Sequence, residues 1–196
     1  MTLCFATNNQ HKIKEVQALL GNDFVLVGLT GIGCAEELAE NQTTLEGNSL
    51  QKARYVFDRY SVSCFADDTG LEVEALHGAP GVYSARYAGE QRNAADNMSL
   101  LLKNLKGAGN RKARFRTVIT LITPSGQKEF EGILNGTIID QQRGTEGFGY
   151  DPIFLPDGSA RTLAEMPLEE KNKLSHRARA VEKLVAHVKQ KNLSNA

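Results

Sequence analysis

The sequence predicts an α/β fold, a single domain whose mixed sheet is split into two lobes. In the first third of the chain, short apolar runs alternate with amphipathic helical stripes, which is typical of α/β units. Further along, residues 115–123 and 129–139 flank the turn Pro124-Ser125-Gly126 and predict an antiparallel hairpin. The length of 196 residues is that of one ordinary domain, so we expect residues 1–196 to form a single unit of fold.

The N-terminal segment predicts a strand, a helix and a second strand. Residues 3–6 form a short apolar run that is typical of a buried strand. After a polar turn, an apolar stripe from Ile13 to Leu20 predicts a helix that ends at Gly21, and residues 24–29 form the next strand. This order of elements is the beginning of an α/β unit.

The next segment predicts a long helix and a third strand. Thr43 and Glu46 have the spacing of a capping box, and apolar side chains up to Tyr60 share one face of a helix of about four turns. Residues 63–66 form another short strand. We expect that strand to end abruptly at the acidic pair that follows it.

The remaining segments predict two helices around the hairpin and a loop. A short helix begins at Asn93 or Asp96. A Gly-rich loop with little periodicity covers residues 141–157. The C-terminal segment has an apolar stripe from Ala178 to Val188, which predicts a helix with Ser175 as a candidate N-cap.

Composition excludes several classes of protein. The 23 basic and 23 acidic residues give a net charge of zero, which argues against a nucleic-acid-binding surface. Cys4, Cys34 and Cys64 are an odd set without zinc-ligand spacing, so we expect neither a disulfide framework nor structural zinc. The sequence has no signal-peptide pattern at its start and no run of about 18 apolar residues, so we expect a cytoplasmic protein without a membrane partner.

The polar turn after the first strand, residues 7–12, is a candidate anion site. The N–H groups of a helix N-terminus, together with a nearby lysine such as Lys12, attract phosphate. The alternative is that Asn8 or Asn9 caps the helix and Lys12 is solvated. The segment by itself favours this alternative, because asparagine is common between a strand and a helix.

The acidic pair Asp67 and Asp68 follows an apolar strand directly. Adjacent side chains of an extended chain point to opposite sides, so one carboxylate faces a cleft while the other is held by the scaffold. A carboxylate in such a place suits Mg²⁺ binding or polarisation of a water molecule. The alternative is a simple turn, because Asp, Thr and Gly all favour turns.

Three later segments combine glycines with aromatic or basic side chains. Residues 78–89 place an arginine between two tyrosines, which indicates a structural loop, with a phosphate-facing arginine as the alternative. In residues 147–152, glycines around Phe148 let a flat ligand stack on the ring, unless the aromatic side chains pack beneath the loop. Lys171 and residues 175–177 suit recognition of phosphate or a base, or are solvated.

Together and in this order, the segments resemble the inosine triphosphate pyrophosphatase family, the XTP/dITP diphosphatases that remove deaminated purine nucleotides. Five motifs between Thr7 and Ala180 carry the resemblance: TNNQHKIKE, TLEGNSLQKA, FADDTGLEVEALHGAPGVYSARYAG, GFGYDPIF and SHRARA. The long central motif is highly specific. The resemblance implies a mixed, strongly bent sheet with flanking helices, two lobes around a central nucleotide cleft, and a homodimer.

The resemblance also implies roles for particular residues. Asp68 matches the proton acceptor and a Mg²⁺ ligand, and Glu40 matches the second metal carboxylate, with Glu36 and Glu37 as neighbouring alternatives. The implied substrate-binding residues are Thr7, Asn8, Asn9, Gln10, His11, Lys12, Thr69, Phe148, Gly149, Tyr150, Asp151, Lys171, His176 and Arg177. We expect Glu46, Lys52 and Asp67 to support these residues from behind, or Glu46 to cap its helix.

The implied activity is Mg²⁺-dependent hydrolysis of ITP, dITP and XTP to the nucleoside monophosphate and pyrophosphate. Donors from His176, Arg177 or the backbone that meet the 6-oxo group of the base would reject adenine. A second hypothesis keeps the fold but has the enzyme act on another modified nucleotide, such as a pyrimidine triphosphate, or release orthophosphate as a phosphatase. A third is a nucleotide-sensing module without turnover, which the presence of Asp68 and the other acids disfavours.

Overall fold

A computed structural model of the chain describes residues 2–20 and 24–194; Gly21, where we expected the first helix to end, lies outside them. Within these residues the strands are β1 (Thr2–Phe5), β2 (Val25–Gly28), β3 (Cys64–Val73), β4 (Pro80–Gly81), β5 (Lys112–Thr123), β6 (Gly126–Ile138) and β7 (Phe154–Pro156). The helices are α1 (Gln10–Leu20), α2 (Leu45–Tyr60), α3 (Ala94–Asn104), α4 (Leu168–Lys171) and α5 (His176–Ser194). None of these helices is long and apolar enough to cross a lipid bilayer.

Side-chain caps determine where two of the helices begin. Thr44, not the predicted Thr43, caps α2, and its Oγ1 accepts a hydrogen bond from the N–H of Gly47 at 3.0 Å. Asn93 caps α3 in the same way, and its Oδ1 accepts from the N–H of Asp96 at 3.0 Å. Of the two predicted starting points for this helix, the structure therefore has the first.

The sheet is mixed, as predicted. Its strand order is β2-β1-β3-β5-β6-β7, and β4 pairs with β3. β1 is parallel to both β2 and β3, whereas β4 is antiparallel to β3 and β7 is antiparallel to β6. Only Pro124 and Ser125 connect β5 to β6, and a connection this short can join only antiparallel strands. The α/β class with a mixed sheet is confirmed.

β3 corrects the prediction that the third strand ends at the acidic pair. The strand continues from Cys64 to Val73, so Asp67, Asp68 and Thr69 lie inside it. Local turn preference is overridden here because β3 is an inner strand of the sheet, which pairs with β1 only up to Phe65 and has β5 on its other side. The two carboxylates therefore stand on a paired strand and not on a loop.

The chain forms two compact units. The first contains the chain up to Asp68, Thr117–Gly132 and the chain from His176 onward, and the second contains Thr69–Arg116 and Ile133–Ser175. The expectation of a single domain over all 196 residues stays a prediction.

Each unit has its own hydrophobic core. In the first unit, one core cluster includes the stacked rings of Phe5 and Phe65, whose centroids are 4.6 Å apart. A second cluster in that unit contains all three cysteines of the chain as buried free thiols: Cys4, Cys34 and Cys64. The core of the second unit includes the rings of Phe115 and Phe154, with centroids 4.6 Å apart.

Candidate active site

The turn between β1 and α1 holds the residues expected to bind phosphate. Asn9 caps α1: its Oδ1 accepts hydrogen bonds from the backbone N–H groups of His11 at 3.0 Å and Lys12 at 3.2 Å. The Oγ1 of Thr7 accepts from the N–H of Asn9 at 3.1 Å. The remaining side chains of the turn are exposed, namely Asn8, Gln10 and His11. Helix capping by an asparagine, one of the two alternatives for this turn, is therefore present.

Asp67 is the centre of a buried ion-pair network. It is 1% exposed, and its two carboxylate oxygens accept hydrogen bonds from Lys12 Nζ at 2.8 Å and Arg177 Nε at 3.2 Å. Burial alone would raise the pKa of Asp67, but the charges of Lys12, Arg177 and Lys52 outweigh burial and hold the pKa well below its usual range. The network thus favours the ionised form of Asp67, and Lys12 is paired with it instead of being solvated.

Arg177 completes this network from the first turn of α5. Its guanidinium is fully buried and donates both to Asp67 and to Glu15 of α1. Burial alone would lower the pKa of Arg177, but Glu15 and Asp67 raise it above its ordinary value. His176, the preceding residue, is also buried. The structure therefore places Arg177 as an ion-pair anchor between α1, β3 and α5.

Asp68, the next residue on β3, has different surroundings. Its Oδ2 accepts a hydrogen bond from Asn48 Nδ2 at 3.0 Å, and its Oδ1 lies 3.9 Å from Lys52 Nζ. Burial raises the pKa of Asp68 and the charge of Glu40 raises it further, while Lys52 and Lys12 oppose this without cancelling it. A carboxylate with a raised pKa is a better proton acceptor than an ordinary one.

One face of α2 supplies the groups that surround Asp68. Asn48 and Lys52 are four residues apart and so lie on the same side of the helix. Lys52 Nζ donates to Glu40 Oε1 at 2.5 Å and to the carbonyl oxygen of Asp67 at 2.7 Å. Asn48 Oδ1 accepts from the N–H of Gln42 at 2.9 Å, which fixes the segment that carries Glu40. The helix thereby brings Glu40 and Asp68 to one ammonium group.

Glu40 and Asp68 fit the expected Mg²⁺. Among the residues that the structure describes, no group of three or more His, Cys, Asp or Glu side chains is arranged to hold a metal ion. Mg²⁺ is usually held by one or two carboxylates together with substrate phosphates and water. The effect of Glu40 on the pKa of Asp68 indicates two neighbouring carboxylates whose repulsion a cation relieves. The donor set is therefore suited to this hard cation.

The second unit contains the aromatic loop and the lysine expected to bind the base, whereas His176 and Arg177, the expected donors to it, belong to the first unit. Phe148 is half-buried, and its N–H donates to Asp151 Oδ2 at 2.9 Å. Lys171 is buried, and its Nζ donates to the same oxygen at 2.7 Å and lies 5.0 Å from the centre of the Phe148 ring. Tyr150 is 4% exposed and belongs to the core of the unit. Phe148, Asp151 and Lys171 thus form one cluster, with Gly149 in the loop between them.

Thr69 is the first residue of the second unit. It is half-buried on β3, directly after Asp68. Thr69 therefore lies on an extended strand, like the acidic pair before it, and not in a turn.

Three residues important to this geometry were not among the predicted site residues. Asn48 was not singled out, and Lys52 was expected only to support the site, yet both lie against Asp68. The signal was their spacing of four within TLEGNSLQKA, which places an amide and an ammonium on one helical face. Glu15 was also missed, because only the burial of Arg177 shows the need for a second anion.

Comparison with known proteins places the chain among close relatives. A sequence model of the Ham1 family matches residues 3–187. The dITP/XTP pyrophosphatase of Flavobacterium johnsoniae is 52% identical over 185 residues, which cover 94% of this chain and 96% of the relative. The dITP/XTP pyrophosphatase of Porphyromonas gingivalis is 54% identical over 183 residues, covering 93% and 94% of the two chains.

Solved structures agree with the sequence comparison. The Ham1 protein of Staphylococcus aureus is 35% identical and superposes with a TM-score of 0.89, covering 97% of this chain and all of the other. A HAM1 protein from Coxiella burnetii is 34% identical with the same TM-score of 0.89. The match of sequence and of fold over nearly the whole length leads to one conclusion: this chain belongs to the Ham1 family.

Proposed function

We propose that this chain hydrolyses the deaminated purine nucleotides ITP, dITP and XTP to the nucleoside monophosphate and pyrophosphate. The names of the full-length relatives, dITP/XTP pyrophosphatases, support this activity. The observation that carries the proposal is Asp68, a buried carboxylate of raised pKa that Asn48 orients and Lys52 faces. This is the environment that a proton acceptor needs.

In this mechanism Asp68 accepts the proton of the attacking water. The water oxygen forms a bond to the α-phosphorus, and the bond from that phosphorus to the bridging oxygen breaks, so that pyrophosphate leaves with the electron pair. The proton goes to a carboxylate oxygen of Asp68. Asn48 holds the other oxygen of the carboxylate and so fixes its orientation. Positioned acid–base groups typically contribute about 10²–10⁴-fold to a rate.

Glu40 and Asp68 would hold Mg²⁺ together with phosphate oxygens of the substrate. When bound, the ion neutralises the charge that develops on the leaving pyrophosphate. Lys12 is the candidate for the phosphate tail, since its ammonium group is held in place by Asp67 at 2.8 Å. Thr7, Asn8, Asn9 and the exposed start of α1 stay the proposed phosphate contacts.

For base recognition we propose that Phe148 stacks on the purine and that hydrogen-bond donors of the protein meet the 6-oxo group. Arg177 was one expected donor, but its Nε and Nη1 are engaged by Asp67 and Glu15. Arg177 stays a proposed donor together with His176 and backbone N–H groups, and its ion pairs with Asp67 and Glu15 hold the guanidinium in place. A mismatch at a buried polar group discriminates strongly between bases, by roughly 10⁴ or more.

We further propose that the protein is a cytoplasmic homodimer. The family resemblance supports the dimer, and the loop 78–89 offers a surface for it. In that loop Tyr83 is 52% exposed and its ring lies 5.3 Å from the guanidinium carbon of Arg86. Aromatic and arginine side chains are enriched in protein interfaces.

A substrate panel tests the proposed activity. Turnover of ITP, dITP, XTP, GTP, ATP and a modified pyrimidine triphosphate is measured with pyrophosphate and orthophosphate detected separately, in MgCl₂ and in EDTA. We expect pyrophosphate mainly from the first three substrates, with much slower turnover of GTP, and none in EDTA. Release of orthophosphate would indicate a phosphatase, preference for the pyrimidine would indicate another modified nucleotide, and binding without turnover would indicate a sensing module.

A further inference from the structure

The loop that carries Phe148 has little stiffness of its own. Gly147 and Gly149 flank the aromatic residue, and both have left-handed backbones, with φ of 73° and 64°. Glycine populates this region freely, so the backbone on either side of Phe148 can turn unless something outside the glycines holds it. The position of the Phe148 ring therefore depends on how the rest of the loop is anchored.

One anchor of the loop is Asp151. Its Oδ2 accepts hydrogen bonds from the N–H of Phe148 and from Lys171 Nζ. A Cβ at Gly147 would lie 2.1 Å from that oxygen, so the loop closes tightly around the carboxylate. This anchor fixes the loop against α4.

The second anchor is the hydroxyl of Tyr150. The Tyr150 side chain is buried in the core of its unit, and its Oη donates to the carbonyl oxygen of Ser84 at 2.9 Å. A buried phenol whose hydroxyl is used in this way is directed into the protein and not towards a ligand. Burial also raises the pKa of Tyr150, which keeps the hydroxyl a donor.

Ser84 connects Tyr150 to β3 through hydrogen bonds. Its Oγ donates to the carbonyl oxygen of Gly81 at 2.6 Å and accepts from the N–H of Leu71 at 2.8 Å. Leu71 is three residues after Asp68 on the same strand. A continuous chain of hydrogen bonds, all within the second unit, therefore runs from β3 through Ser84 to the residue two places after Phe148.

We propose that Tyr150 and Ser84 are positioning residues that set the base specificity of this protein by fixing the loop under Phe148. The inference rests on the proposed function, because it takes the Phe148 loop as the base-binding element. Discrimination between 6-oxopurines depends on where the donors lie, and a misplacement of about 1 Å is already costly. Tyr150 acts on the loop and not on the nucleotide itself.

The test uses Tyr150→Phe, which removes one oxygen, with Tyr87→Phe as its matched control. Tyr87 packs against the same core, and its hydroxyl accepts a hydrogen bond from Asn104 at 2.8 Å, a bond that is not part of the chain from Leu71 to the loop. Hydrogen–deuterium exchange over residues 147–153 reports on the anchor without substrate. Steady-state kinetics with ITP and GTP report on specificity.

In Tyr150→Phe we expect faster exchange of the loop amides, an increase of about fivefold in KM for ITP, and a similar loss of preference for ITP over GTP. These values follow from a net hydrogen-bond contribution of about 1 kcal/mol. We expect kcat to change less than KM, and Tyr87→Phe to match the wild type in every measurement. Ser84→Ala should give the same pattern, and it replaces Tyr150→Phe if that variant does not fold.

Unchanged loop exchange in Tyr150→Phe would overturn the proposal, and so would faster exchange with unchanged KM and unchanged preference for ITP. A fall in kcat alone also contradicts it, because a positioning role in base binding acts on KM. If the wild type itself hydrolyses neither nucleotide, the proposed function has failed. If the wild type is active and Tyr150→Phe behaves like it, only this inference has failed.

Discussion

At the scale of single residues, Asp67 and Asp68 show how two neighbouring aspartates acquire opposite pKa shifts from their surroundings. They are consecutive on β3, so their side chains point to opposite faces of the strand. Asp67 meets Lys12 and Arg177, and its pKa is lowered, whereas burial raises the pKa of Asp68. The first carboxylate suits a fixed structural charge and the second suits proton transfer.

Asp68→Asn tests this division of roles. Asparagine keeps the shape of the side chain but cannot accept the proton and is a poor Mg²⁺ ligand, so we expect kcat with ITP to fall at least about 10²-fold. Thermal unfolding should change little. Asp140→Asn is the control, because that carboxylate is 84% exposed and pairs only with Arg111 among the contacts described. Near-normal turnover of Asp68→Asn at saturating Mg²⁺ contradicts the assignment.

Asp67→Asn should act on stability and not primarily on chemistry. The variant leaves the buried Arg177 and the nearby Lys12 with less compensating charge, and breaking a buried ion pair costs about 3–5 kcal/mol. We expect the melting temperature at pH 7 to fall clearly below that of the wild type. An unchanged melting temperature would show that the network contributes nothing to the fold.

The stabilisation that Asp67 provides should depend on pH. The folded pKa of Asp67 lies below its unfolded value of about 3.9. Its contribution is therefore complete above the unfolded pKa and is lost as the pH falls through the folded pKa. The difference in melting temperature between wild type and Asp67→Asn should be constant from about pH 6 to 8 and should shrink below about pH 4.

The sequence predicted candidate site residues, whose roles stay predictions, but it did not predict what surrounds them. Motif resemblance identified Asp68, Glu40 and Lys12, and the structure brings the first two to Lys52. Burial of Arg177 was not predictable, because its two anions lie 110 and 162 residues away along the chain. A pattern of neighbouring residues carries no information on pairs so far apart.

At the scale of the elements, the order of strands and helices was predictable and their ends were less so. The apolar runs and helical stripes gave β1, α1, α2, the hairpin and α5 close to their observed places. β3 was predicted too short because Asp, Thr and Gly favour turns locally, while the place of β3 inside the sheet keeps the chain extended beyond its pairing with β1. β7 was missed because it is only three residues long within the Gly-rich loop.

The contact between β6 and α5 gives a prediction at this scale. A Cβ at Gly132 would lie 1.9 Å from the carbonyl oxygen of His176 and 2.6 Å from the backbone nitrogen of Ala180. Backbone atoms cannot move aside, so we expect Gly132→Ala to destabilise the fold by at least about 1–3 kcal/mol. Chemical denaturation measures this value.

Gly109→Ala is the matched control for Gly132→Ala. A Cβ at Gly109 would meet no described atom within 4 Å beyond its chain neighbours, and the φ of Gly109 is not left-handed. We expect this variant to stay within about 0.5 kcal/mol of the wild type. Equal stability of the two variants would show that β6 and α5 can separate without cost.

At the scale of the whole molecule, the chain passes four times between two compact units, and no linker marks the passages. Three of the four boundaries fall inside β3, β5 and β6. Composition reveals a boundary only where a linker rich in Pro, Gly or polar residues joins the parts. The sequence could therefore suggest two lobes but could not show where they divide.

The proposed homodimer is a prediction about the whole molecule. Light scattering at micromolar protein should give about twice the chain mass of 21.4 kDa. Tyr83→Asp, in the loop proposed as the interface, should shift the mass towards the monomer, because a charge is poorly tolerated in the core of an interface. A monomeric mass for the wild type rules out the dimer, and a dimeric mass for Tyr83→Asp moves the interface elsewhere.

Because all three cysteines are buried in one core cluster, none of their thiols is accessible to thiol-directed dyes in the folded protein. Burial, with a smaller effect of Cys34, raises the pKa of Cys4 to about 11, and burial with Cys4 raises that of Cys64 to about 12. Since the thiolate is the reactive form, maleimide should leave the folded wild type unlabelled at pH 7 and modify three sites in denaturant, as intact mass would show. Val25→Cys, at a side chain 59% exposed, should then carry exactly one fluorophore, so that any chosen surface position becomes a spectroscopic reporter without prior removal of the native thiols.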